Sequence, residues 1–117
     1  MNAKDMVKLS VLEEFTMTPG PRYKHQGPFS GELFRQEVLK PKFEEALDLK
    51  TQLYVDLDGP AGYATSFLEE AFGGLARDPK FSSDLVLKTL VFKSEDDPYL
   101  EEDIRTYITE ATLQEMV

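Results

Sequence analysis

The chain of 117 residues has no cysteine and a single histidine, His25. Without thiols it can build no disulfide framework, no thiol nucleophile and no thiolate metal site. One histidine alone makes a poor metal centre, and His25 reads as a solvated loop residue. No segment approaches the roughly 20 apolar residues that a membrane span needs. The first residues, MNAKDMVKLSVLEEF, hold no unbroken apolar stretch of leader length. A cytoplasmic protein is expected. Basic residues are scarce, 13 against 22 acidic, for a net charge of −9. That balance lacks the basic footprint of a nucleic-acid binder, and an anionic membrane would repel it. No G-x-S-x-G elbow supports nucleophilic hydrolysis. Gly59, Gly62, Gly73 and Gly74 form no phosphate-cradling fingerprint. No cofactor is expected.

What the chain does have suits one domain over residues 1–117. Its apolar fraction of 41% and charged fraction of 30% are those of a globular protein with a real core. The charge is uneven: residues 95–117 hold 8 acidic groups and 1 basic one. The plain reading of that stretch is solubility; the sharper one is a docking face for a basic partner.

Val7, Leu9 and Val11 alternate with Lys8 and Ser10, the pattern of a half-buried strand. Thr16 to Ser30 holds three prolines and two glycines and reads as a long loop. Ser30 can cap a helix with Glu32 in its first turn. Pro41 interrupts that helix, so a bend is expected near Lys40. Leu53, Val55 and Leu57 mark a short central strand. From Phe67 the apolar residues fall on one helix face, with Glu69, Glu70, Arg77 and Asp78 away from it. Gly73 and Gly74 each cost about 1 kcal/mol inside a helix, which close approach to a neighbouring backbone, or an early helix end, would offset. Leu85 to Phe92 (LVLKTLVF) is nearly all apolar and reads as another buried strand. Asp97-Pro98 reads as the cap and first residue of a last helix. Strands alternating with helices predict an α/β fold, with a small mixed, largely parallel sheet covered by helices.

Two places carry candidate chemistry. Thr65 and Ser66 open the helix after the central strand, where a phosphate would be stabilised by the helix N-terminus. Ser66-Phe67-Leu68-Glu69 equally fits a capping box, which would occupy the hydroxyl. Asp56 and Asp58 end the central strand, where α/β sheets place sites. Such a pair resembles the first motif of haloacid-dehalogenase-type phosphatases, yet Pro60 departs from that pattern. The plain alternative is that Asp58 shapes the turn before Gly59-Pro60.

Four blocks in order carry a wider resemblance: PGPRY from Pro19, GPFSGELFR from Gly27, VDLDG from Val55 and TSFLEEAFG from Thr65. Together they resemble the STAS-like domain family of unknown function, over roughly residues 16–77. STAS domains include bacterial anti-sigma-factor antagonists, in which a Ser or Thr at this helix start is phosphorylated by a kinase-type anti-sigma factor. The resemblance therefore implies a non-enzymatic signalling module whose partner is a histidine-kinase-like ATPase. It places Thr65 and Ser66 at the phospho-site. Phe67-Leu68 depart from the Ser-Gly sequence that follows the site in antagonists. The docking surface would take in Asp58, Gly62, Tyr63, Thr65 and Ser66. Arg22 and Arg35 would act as anchors of the loop or of a neighbouring carboxylate. The alternatives are a small Mg²⁺-dependent phosphohydrolase on Asp56 and Asp58, or a self-associating structural protein such as a homodimer.

Overall fold

The computed structural model describes residues 5–115, with side chains as far as Ala111. Three strands, β1 (Val7–Ser10), β2 (Leu53–Asp56) and β3 (Leu90–Lys93), form one sheet in the order β1-β2-β3. Both pairings are parallel, with Val7 and Leu90 flanking Leu53 and with Ser10 and Lys93 flanking Asp56. The expectation of a largely parallel sheet covered by helices is met, and β2 is central. Leu53 and Val55 are fully buried, as an inner strand covered on both faces requires.

Two long helices lie on the sheet, and each is interrupted in the same way. The first runs over residues 31–48, as α2 (Gly31–Phe34), a π-helical turn (Arg35–Leu39) and α3 (Lys40–Asp48). Ser30 caps it, its Oγ accepting the Leu33 amide at 3.0 Å. The expected disturbance near Lys40 is the π turn itself: the Lys40 amide bonds back to Arg35. The second runs over residues 65–76, as α4 (Thr65–Leu68), a π turn (Glu69–Gly73) and α5 (Gly74–Ala76). Phe34, Phe67 and Phe72 meet where the two helices cross, with ring centroids 5.7 Å apart for Phe34 and Phe67 and 6.2 Å for Phe34 and Phe72.

Four expectations need correction. β1 stops at Ser10, whose hydroxyl accepts the Glu13 amide and opens a single turn, α1 (Val11–Glu14). Val11 is buried in that turn rather than in a strand. Leu85 to Phe92 is not one strand: α6 covers Ser83–Thr89, capped by Ser82, and only Leu90 onward is extended. A short apolar run cannot by itself separate a buried strand from a buried helix. The last helix, α7, spans Leu100–Glu115 and so begins two residues after Pro98; Asp97 instead closes the preceding turn through the Tyr99 amide. Finally, what lies against Gly74 is not backbone but the Arg35 guanidinium, which occupies the space a Cβ would need. No helix among the described residues is long and apolar enough to cross a membrane.

Candidate functional site

Ser10, Asp56 and Lys93 lie side by side at the carboxyl ends of the three strands, the end where open α/β sheets build sites. Asp56 turns its Oδ1 to the Asp58 amide at 3.0 Å. Asp58 is more deeply committed. Its Oδ1 accepts the Asp96 amide at 2.9 Å and its Oδ2 the Glu95 amide at 3.1 Å. Lys93 Nζ lies 3.2 Å from Asp58 Oδ2 and 3.9 Å from Asp56 Oδ2. The Asp96 amide foremost, with the Glu95 amide and the Lys93 ammonium, holds the Asp58 carboxyl below its ordinary value against the opposing effect of burial. Asp96 returns the bond, its Oδ2 accepting the Gly59 amide at 2.9 Å, where Gly59 turns the chain at φ +110°. Asp58 is therefore a clasp between the loop after β2 and the loop after β3. A phosphatase acid needs a free oxygen, and here both are bonded to backbone. Among the described residues, no group of three or more His, Cys, Asp or Glu side chains is disposed to hold a metal ion.

The loop held by this clasp leads to the hydroxyl pair. Tyr63 bends back and donates its hydroxyl to the Leu57 carbonyl at 2.8 Å. Burial, then the nearby charges of Asp56, Asp58 and Asp96, push its phenol far above the ordinary tyrosine value. Ala64 stands at the N-cap position in an extended conformation, so Thr65 and Ser66 are the first two helical residues. Thr65 and Gly62 are exposed and Ser66 is half-buried. The Ser66–Glu69 capping box does not form: the N-cap makes no side-chain hydrogen bond, and Glu69 pairs elsewhere. Neither hydroxyl hydrogen-bonds to another described residue. Beside the loop opens a cleft of about 270 Å³ between Leu57, Tyr63 and Leu100, with Asp96 and Asp97 at its mouth. Two large exposed apolar side chains belong to the segments flanking it. Met17, whose carbonyl accepts the Ala61 amide, is 61% exposed, and Tyr99 is 73% exposed.

Arg22 and Arg35 are not on this surface. They converge with Arg77 on Glu69 and Glu70, in the π turn of the second long helix. Arg22 and Arg77 both pair with Glu69, and Arg35 pairs with Glu70. Arg35 Nη1 also donates to the Glu70 carbonyl at 2.6 Å. Glu70 is only 8% exposed, so the side of the helix away from its apolar face is itself partly covered. Through Arg22 the network ties the loop of residues 16–30 to the second helix. His25 is exposed and stacks on Tyr23, with ring centroids 5.6 Å apart. This network left no trace in local sequence. Arg22 and Arg35 lie 47 and 35 residues before their glutamates, and no periodicity links them.

No curated protein and no solved structure matches the chain. One family description does, over residues 30–100. The match takes in both interrupted helices, β2, the clasp and β3. It begins at the cap residue Ser30, so the Pro19–Tyr23 block of the loop falls outside it, and it reaches well past Arg77. By this match the chain belongs to the family described as the STAS-like domain of unknown function (DUF4325).

Proposed function

We propose that the chain is a regulatory protein-binding module. Its partner docks on the exposed corner formed by the loop of residues 59–64 and the start of α4. The observation that carries this reading is the free hydroxyl pair: Thr65 is exposed, Ser66 is half-buried, and neither is used as a helix cap. Met17 and Tyr99 supply exposed apolar side chains on neighbouring segments, the kind of residue that anchors interfaces. Asp58, clasped behind the loop, shapes the surface without forming it, and Gly62 and Tyr63 set its outline.

The corner also suits a phosphoswitch. A phosphate on Thr65 would sit in the first turn of a helix of 12 residues, where the helix dipole favours it. Exposure favours Thr65 over Ser66 as the acceptor. A histidine-kinase-like ATPase fits as kinase and partner because family resemblance points to that class. The test is quantitative co-purification from the source cells with wild type, Thr65→Glu and Ser66→Glu. A partner bound by wild type and lost from Thr65→Glu supports the reading. Identical recovery of every partner by all three overturns it.

A further inference from the structure

We infer that the cleft walled by Leu57, Pro60, Tyr63 and Leu100, with Asp96 and Asp97 at its mouth, receives an arginine or lysine side chain of a protein partner. The inference rests on the docking reading and names the chemistry of its partner. Size is the first argument. The cleft holds about 270 Å³, slightly below the roughly 300–1,000 Å³ of small-molecule sites and suited to one long side chain. Lining is the second: the apolar side chains of Leu57, Pro60, Tyr63 and Leu100 share the cleft with the carboxylates of Asp96 and Asp97, a mixture that suits an aliphatic stem with a cationic head.

Charge is the third argument. Asp96 uses Oδ2 for the Gly59 amide and Asp97 uses Oδ1 for the Tyr99 amide. Each has a second oxygen with no hydrogen bond to a described residue. Neither has an ion pair among the described residues. Lys93, at the end of β3, is held by Asp58, Asp56 and Glu95. Arg105 is the one basic residue after Lys93. It turns inward, donating to the Leu87 and Leu90 carbonyls at 3.0 and 3.2 Å, and pairs with Glu101. No cation among the described residues pairs with the two aspartates, so a visiting one meets charge that those residues leave uncompensated. The negative potential is felt within: Asp56, Asp58 and Asp96 all add to the upward push that burial gives the Tyr63 phenol.

The test is an NMR titration of the full ¹⁵N-labelled chain with N-acetyl-arginine-methylamide, and in parallel with the neutral N-acetyl-norleucine-methylamide. The arginine probe should give saturable shifts confined to residues 57–63 and 96–100, with a dissociation constant on the order of 1–10 mM. Binding should weaken when salt is raised, since the rim is exposed. The double variant Asp96→Asn/Asp97→Asn keeps an oxygen to accept both turn amides. It should weaken binding by about tenfold, the scale of two exposed charges, with the remaining spectrum unchanged. Equal binding of the norleucine probe, shifts spread along α7, or an unaltered double variant would each overturn the inference. No partner enters this titration, so a cleft indifferent to arginine removes the inference alone. The docking reading falls only on the Thr65→Glu comparison.

Discussion

Tyr63 fixes the loop of residues 59–64 with one hydroxyl. Its donation to the Leu57 carbonyl joins the loop to the end of β2. A phenol pushed up by burial stays protonated, and so remains a donor, through the ordinary pH range. Tyr63→Phe keeps the ring on Phe67, 6.0 Å away between centroids, and leaves the carbonyl short of a partner. The expected loss is about 1 kcal/mol in urea unfolding, with amide shifts centred on residues 57–64. An unchanged midpoint would show that the bond contributes nothing. Thr65→Asp should do the opposite. At the first helical position a carboxylate gains about 0.3–1 kcal/mol from the dipole, so stability is level or higher even as partner recovery falls. A variant that loses more than about 1 kcal/mol would instead mark Thr65 as structural. At this scale the sequence was half legible. The hydroxyl pair stood out because a Gly-rich loop precedes an apolar helix face. Which residue caps it did not, because S-x-x-E cannot tell a cap from a second helical residue. The cap went to Ala64, leaving Glu69 free to meet two arginines.

The two π turns explain how long helices can carry an ion pair between them. In an α-helix the Gly74 amide would bond the Glu70 carbonyl. Here it bonds Glu69 and Ala71 instead. The Glu70 carbonyl is thereby free to accept Arg35 Nη1, which also pairs with the Glu70 carboxylate. Arg35 itself starts the other π turn, two residues before the carbonyl that the Pro41 ring would crowd in a regular helix. Gly74 completes the arrangement, since any Cβ there would strike the guanidinium. Gly→Ala inside a helix ordinarily stabilises by about 1 kcal/mol. Gly74→Ala should cost about 1–2 kcal/mol instead, because it displaces a charged hydrogen bond worth about 1.5–3 kcal/mol. In an Arg35→Ala background the same change should turn stabilising. Additive effects in this double-mutant cycle would dissolve the proposed coupling. Element order and the central place of β2 could be read from alternation and turn residues. Pro41 marked the place of the first π turn, but the second could not be read, since its Glu70 carbonyl answers to Arg35, 35 residues away. Nor could the division of 85–92, where apolar side chains serve a helix and a strand in turn.

Across the whole molecule, charge works in two directions. The net of −9 makes the fold repel itself at neutral pH, an effect that eases as pH falls towards the isoelectric point near 4.5. The internal ion pairs pull the other way. Burial alone would raise the Glu69 carboxyl, but hydrogen bonds from Arg77 and Arg22 hold it below its ordinary value. Asp78 is lowered by Lys40 foremost. A carboxyl depressed on folding stabilises fully above its unfolded value, about 4.3 for glutamate, and stops doing so as pH falls through the lower folded one. Wild-type stability should therefore hold level or rise slightly from pH 7 to about 5 and then fall steeply. Glu69→Gln separates the local effect from the global one, because both proteins share nearly the same net charge. At pH 7 it should be less stable by roughly 1.5–3 kcal/mol, the range for a charged hydrogen-bonded partner. The gap should begin to close as pH falls below the unfolded glutamate value of about 4.3, and close further as wild-type Glu69 takes up its own proton at its lower folded value. Urea midpoints at half-unit pH steps would read it directly. A gap that stays constant down to pH 3 would mean Glu69 is held by shape, and the arginine network would lose its place as the tie between loop and helix.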